Sequence, residues 1–130
     1  MDLENKMKIL VAEDNSINIQ VARYILSPLS SDLVFVMNGE EAIKKFSDGS
    51  FDLILMDVKM PVMDGCEATQ EIRHIEKLRG DGGRIPIIAM TANNQHEEQQ
   101  NCLKIGMDGF ISKPFNTEDV TNMLKTLELI

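Results

Sequence analysis

Four points along this chain carry residue types able to act together on one charged group. They are the acid pair Glu13-Asp14, the single acid Asp57, the hydroxyl of Thr91 and the ammonium of Lys113. Three clustered carboxylates repel one another and raise each other's pKa. A hard divalent cation relieves that repulsion. Mg2+ takes oxygen ligands, keeps waters and often shares its shell with phosphate. A lysine and a hydroxyl facing a metal-bound carboxylate suit a phosphoryl group. Lys113 would pair with one oxygen, Thr91 would donate to another, and Mg2+ would hold a third. The nucleophile would be a carboxylate, giving an acyl phosphate. Catalysis would then be mostly positioning and charge neutralisation.

Residues so far apart in sequence meet only if the elements before them run side by side. Each of the four points closes a short apolar run. Lys8 to Ala12 precedes Glu13-Asp14; Asp52 to Met56 precedes Asp57; Ile85 to Met90 precedes Thr91-Ala92; Asp108 to Ser112 precedes Lys113-Pro114. A further run, Leu33 to Met37, completes five strands. The runs are too continuous for one-sided strands and read as buried on both faces. Helical segments alternate with them. The first runs from an Asn15 or Ser16 cap to Leu26, with Val21, Ala22, Ile25 and Leu29 on one inward stripe. Ile17, Ile19 and Tyr24 fall at or beyond its edges and read as partly core, with Ile17 or Ile19 open to serving a partner. The second spans Glu40 to Phe46 and the third Cys66 to about Leu78, with Ile72 and Ile75 inward. The fourth begins in the very polar stretch Asn93 to Asn101 and continues to Ile105, with a thin apolar face of Cys102, Leu103 and Ile105. Such weak burial predicts a mobile element, and His96 in it reads as a solvated side chain. The last helix starts at Asn116 or Thr117 and buries Val120, Leu124 and Leu127.

Five strands alternating with five helices predict an α/β fold, a doubly wound parallel sheet covered on both faces. Ligands of such sheets bind outside the carboxyl ends of the strands, where strand order reverses. That rule places Glu13, Asp14, Asp57, Thr91 and Lys113 on one edge. The 130 residues suit a single domain with a real core. The hydrophobic share of 43% and charged share of 26% are ordinary for a globular protein. A formal net charge of −8 disfavours unassisted nucleic-acid binding, which needs a basic footprint. No apolar run approaches the ~20 residues of a membrane span, and the start lacks the long apolar segment of a signal peptide. Cys66 and Cys102 have no metal-ligand spacing and read as reduced thiols of a cytoplasmic protein. The Gly-rich stretch Arg79 to Gly83 is no phosphate loop, since no Gly-Lys-Ser/Thr follows.

Four stretches in order carry a family resemblance. They are Ala12-Glu13-Asp14-Asn15; Asp52 to Asp57 with Met60-Pro61 and Asp64-Gly65; Ile88 to Ala92; and Gly109 to Phe115. Together the sequence resembles a receiver domain of two-component response regulators, of the type carried by hybrid sensor histidine kinases. The resemblance implies a flavodoxin-like fold with strand order 2-1-3-4-5. It implies Mg2+-dependent transfer of a phosphoryl group from phosphohistidine to Asp57, then a conformational switch and slow dephosphorylation. Asp14 corresponds to the direct metal ligand, Glu13 to its acidic neighbour, and the carbonyl of Lys59 to the backbone ligand. Thr91 and Lys113 correspond to the phosphate contacts. Phe110 matches a rotating switch aromatic; lacking a hydroxyl, it would signal by burial alone. The Lys113-Pro114 bond is cis in relatives. The implied partners are a histidine kinase or a histidine-phosphotransfer domain, with no nucleic acid, no membrane contact and a monomeric chain. A histidine-bearing helix approaching Asp57 would meet Asn15, Ile17, Asn18 and Ile19 on one side and Pro114 and Phe115 on the other.

Two enzymes or binding modules share parts of this pattern. A haloacid-dehalogenase-like phosphatase needs a second Asp two residues beyond its nucleophile, where this chain has Lys59. A flavin-binding domain of the same architecture wants a Ser/Thr/Gly-rich loop after the first strand, where Glu13-Asp14 stand. A receiver-like interaction module that is never phosphorylated remains the alternative.

Overall fold

A computed structural model of the chain describes residues 7–91 and 96–130, with His96 described by its backbone alone. The elements alternate strictly: β1 (Lys8–Ala12), α1 (Ser16–Leu26), β2 (Asp32–Val36), α2 (Gly39–Asp48), β3 (Leu53–Asp57), α3 (Gly65–Arg79), β4 (Ile87–Thr91), α4 (His96–Ile105), β5 (Gly109–Ser112) and α5 (Thr117–Thr126). The five strands form one parallel sheet in the order β2-β1-β3-β4-β5. Strand order reverses between β1 and β3, so Ala12 pairs with Met56 and Asp57 with Met90 at the carboxyl edge.

Successive strand residues face opposite sides, and each side has its own core. Leu10, Ala12, Ile54, Met56, Ile87 and Ala89 pack with Ala42, Phe46, Ala68 and Ile72 under α2, α3 and α4. Ile9, Val11, Leu53, Leu55, Ile88 and Met90 pack with Ala22, Ile25, Leu26, Val120 and Leu124 under α1 and α5. β3 and β4 are buried along their whole length. Each fully buried Leu or Ile is worth about 1.5–3 kcal/mol, which is why the central strands are unbroken apolar runs.

Helix starts follow side-chain chemistry. Asn15 caps α1 by accepting from the backbone N–H groups of Ile17 and Asn18. Asp64 with Glu67, and Asn116 with Asp119, form reciprocal capping boxes at α3 and α5.

Several sequence expectations need correction. Val21 is 50% exposed, because the inward stripe of α1 is Ala22, Ile25 and Leu26. Ile17 and Tyr24, expected to be partly core, are 70% and 83% exposed. β3 begins one residue later than expected and includes Asp57. The Asp52 carboxylate accepts from the Lys8 backbone N–H, which caps the entry to the sheet. β4 starts at Ile87, since Pro86 has no N–H to give a ladder; Ile85 is nevertheless buried. Ala92, which follows Thr91 at the strand end, the first residues of the polar segment (Asn93, Asn94 and Gln95) and the His96 side chain lie outside the described residues.

Candidate functional site at the carboxyl edge of the sheet

The sheet delivers the expected residues to one place. Glu13 leaves β1 with its backbone N–H bonded to the Val36 carbonyl, and the residue is 2% exposed. Asp57, at the tip of β3, is 8% exposed, and Thr91, at the tip of β4, is 1% exposed. Lys113, just past β5, donates from its backbone to the Thr91 carbonyl at 2.7 Å. Its ammonium then reaches back across the edge. Nζ lies 2.7 Å from Glu13 Oε1 and 3.0 Å from Asp57 Oδ2, bridging the two acids. The Lys113-Pro114 bond is cis, as in the family the sequence resembles.

The other oxygens of the two acids are held as well. Glu13 Oε2 accepts from the Asn15 backbone at 3.2 Å and from Asn18 Nδ2 at 3.4 Å. Asp57 Oδ1 accepts from the Lys59 backbone at 3.3 Å. The Thr91 hydroxyl donates to the Ile111 carbonyl at 3.4 Å. Carboxylate oxygens of Glu13, Asp14 and Asp57 all lie within 4.8 Å of one another. An all-oxygen donor set of this charge fits a hard divalent cation.

Electrostatics follow from this packing. Burial pushes the Asp57 carboxyl up from 3.8 to about 6, helped by the Glu13 charge and opposed by the hydrogen bond and charge of Lys113. Burial acts to lower Lys113, but its bonds to Glu13 and Asp57 outweigh that and raise it above its ordinary value. Lys113 is therefore a fixed positive charge at neutral pH, and Asp57 is mostly an anion there.

Two glycines hold the loop after β3. A side chain on Gly65 would place its Cβ 2.2 Å from the Asp57 carbonyl oxygen, and Gly65 donates its N–H to Val58 O at 3.0 Å. A Cβ on Gly39 would lie 2.7 Å from the Met63 carbonyl oxygen, to which the Gly39 N–H donates at 2.8 Å. The start of α2 is thus locked against the loop that carries Lys59.

The expected docking residues divide. Asn18, Pro114 and Phe115 line a groove of about 470 Å³ that opens beside Lys113 and Glu13. Ile17 is exposed on the same helix, whereas Ile19 is partly buried and neither lines the groove. Asn15 is committed to capping α1. Val21, assigned to the core by its spacing, is a groove residue instead. The signal was available: α1 carries more apolar residues than one inward stripe can bury. Phe110 is partly buried against the core under α2, α3 and α4. Lys59 is exposed.

Comparison with known proteins identifies the fold and the family. The family model described as response regulator receiver domain matches residues 9–125. A probable histidine kinase 1 of Oryza sativa subsp. indica is 39% identical over 93% of this chain, which spans 15% of that kinase. Hybrid signal transduction histidine kinase B of Dictyostelium discoideum is 38% identical over 87% of the chain, which spans 6% of it. Among solved structures, the receiver domain of a sensor histidine kinase from Pseudomonas aeruginosa PAO1 superposes with TM-score 0.80 at 37% identity, covering 92% of this chain and 95% of that one. That domain has a magnesium ion coordinated in its active site cleft. The co-crystal of the Saccharomyces cerevisiae phosphotransfer protein Ypd1 with the receiver domain of Ssk1 gives TM-score 0.85 at 28% identity, covering 95% of this chain and 90% of that one. Matched along nearly its whole length, with the acids, hydroxyl and lysine gathered on one sheet edge, the chain belongs to the response regulator receiver domain family.

Proposed function

We propose that residues 1–130 act as a single phosphoacceptor domain in a His-to-Asp phosphorelay, with Asp57 as the acceptor. The observation that carries this reading is the Lys113 ammonium bridging Asp57 and Glu13 at the switch point of the sheet. An Asp57 oxygen attacks phosphorus, the phosphorus–nitrogen bond to the donor imidazole breaks, and the imidazole leaves with the bonding pair and takes up a proton. The product on this chain is an acyl phosphate. Lys113 is already within reach of the acceptor oxygens and follows the charge onto the phosphoryl group. The Thr91 hydroxyl turns from the Ile111 carbonyl to a phosphoryl oxygen. Phe110 moves into the space this opens, and α4, which joins the Thr91 strand to the Phe110 strand, responds.

Glu13, Asp14, Asp57 and the Lys59 carbonyl would hold Mg2+. When bound, the ion neutralises charge on the phosphoryl oxygens and on the acid cluster. The all-oxygen donors support this choice, as does the magnesium-bound relative. Phosphohistidine on a histidine kinase or phosphotransfer domain is the donor class, supported by the histidine kinase relatives and the Ypd1 complex of a similar receiver. Its helix would lie over the groove beside Asn18, Ile17 and Phe115. Among the described residues no helix is long and apolar enough to cross a membrane. A cytoplasmic setting suits the free thiols.

Acetyl phosphate with Mg2+, read by intact mass, tests the assignment. The chain gains one phosphoryl group and Asp57→Asn gains none. Uptake by Asp57→Asn would refute the acceptor assignment. No uptake by the unaltered chain, from acetyl phosphate or a phosphorylated donor domain, would favour the interaction-module reading.

A further inference from the structure

We propose that Asn15 is a positioning residue for the metal site: by capping α1 it aims the acid pair Glu13-Asp14 at Asp57. The inference rests on the proposed Mg2+ site. Three residues, Glu13 to Asn15, join β1 to α1. Glu13 is tied to the sheet, where its N–H donates to the Val36 carbonyl at 2.9 Å. Asn15 is tied to the helix. Its side-chain oxygen accepts from the N–H groups of Ile17 at 2.9 Å and Asn18 at 3.0 Å, and its carbonyl accepts from the Ile19 N–H at 2.9 Å. These bonds hold Asn15 in extended backbone, with φ −97° and ψ 121°. So held, its own N–H turns back to Glu13 Oε2 at 3.2 Å, while Lys113 holds Oε1 at 2.7 Å. Asn18 Nδ2, at 3.4 Å, makes the longer and weaker of the two bonds to Oε2.

Asp14 is oriented differently. Among the described residues its carboxylate has no hydrogen bond or ion pair. Its direction is therefore set by the backbone on either side, which the Val36 bond and the Asn15 cap fix. Carboxylate oxygens of Glu13, Asp14 and Asp57 lie within 4.8 Å of one another only while that short connection keeps its course. Groups that orient metal ligands govern affinity without touching the metal. Without the cap, two N–H groups in the first turn of α1 lose their acceptor and the turn frays. Asn15 then leaves its extended conformation, its N–H leaves Glu13, and Asp14 samples several directions. The sheet beneath stays folded, because neither of its cores includes Asp14 or Asn15.

The whole chain is titrated with Mg2+ by amide NMR, and the Glu13 carboxyl carbon resonance is recorded in EDTA. Asn15→Ala removes the cap, whereas Asn15→Ser keeps one. Ile72→Val deletes one buried methyl group on α3 and serves as a stability-matched control away from the acids, with the match checked by urea unfolding. Asn15→Ala should weaken Mg2+ binding about threefold to tenfold, toward the low end for groups that orient metal ligands. Asn15→Ser and Ile72→Val should stay within about twofold of the unaltered chain. The Glu13 resonance should move in Asn15→Ala alone. Less than about threefold weakening by Asn15→Ala, or an equal loss with Asn15→Ser or Ile72→Val, would overturn the inference. If the unaltered chain bound no Mg2+, the proposed metal site would fall. The Glu13 resonance would then decide the role of Asn15: a shift in Asn15→Ala supports it, and an unmoved resonance overturns it.

Discussion

Replacing Asp57, the proposed acceptor, by Asn should make the metal-free protein more stable. Asp57 sits 8% exposed with Glu13 as a close acidic neighbour, and its carboxyl is raised from 3.8 to about 6. That gap of about two pH units corresponds to roughly 3 kcal/mol of cost to the ionised form at neutral pH, at about 1.4 kcal/mol per unit. The site opens to water beside Asp14, and screening there leaves about 1–2 kcal/mol. An Asn amide keeps the shape, can accept from Lys113 through its oxygen and can donate toward Glu13. The expected gain in urea unfolding at pH 7.5 with EDTA is therefore about 1–2 kcal/mol. The folded state binds its Asp57 proton more tightly than the unfolded chain does. Its contribution to stability is fully present below about pH 4 and is lost as pH rises through about 6. The advantage of Asp57→Asn over the unaltered chain is thus greatest above pH 7, and about half of it should vanish by pH 5. An Asn variant no more stable at pH 7.5, or an advantage indifferent to pH, would refute the reasoning that this carboxylate is held against its own preference.

Asn18→Asp should slow phosphotransfer from a protein donor while sparing acetyl phosphate, because Asn18 lines the groove beside the site; equal slowing with both donors contradicts the docking assignment. Lys59→Ala should shorten the phosphorylated lifetime a few-fold, about 1 kcal/mol or less of barrier, because this flexible lysine on the phosphate-facing loop can fold over the dianion and obstruct attacking water. Its Mg2+ titration should overlay that of the unaltered chain, and a sharp drop in affinity would refute ligation through the backbone carbonyl. Arg73→Met should cost about 3 kcal/mol in denaturant unfolding, since Arg73 holds Glu76, Asp108 and the Gly106 and Ile85 carbonyls at 2.8–2.9 Å; a loss under about 1 kcal/mol would show that the cluster is screened like a surface pair.

The strand tips were legible because a parallel sheet buried on both faces forces unbroken apolar runs, and polar residues mark where burial ends. That is enough to find Glu13, Asp57, Thr91 and Lys113. Apolar composition reports burial, however, and not backbone pairing. Ile85 is buried and still lies outside β4, because the Pro86 ring ends the ladder. The face of α1 was misread at Val21 for a related reason. Val21 and Leu26 flank the same inward pair, Ala22 and Ile25, and only the position of the sheet decides which of them is covered. The meeting of Arg73 and of Arg84 with Asp108 depends on distances between separate helices and loops. No local pattern encodes those distances.

The two glycine contacts around the β3–α3 loop set a limit on how this domain can vary. With Gly65 pressed on the Asp57 carbonyl and Gly39 on that of Met63, the loop between them is held closely at both ends. Even a methyl group at either point would have to displace main chain. A homologous domain built on the same loop can therefore change the durability of its acyl phosphate only through outward side chains, at positions such as Lys59 and Val62. The clock can be reset by surface substitution while the geometry of the acceptor stays the same.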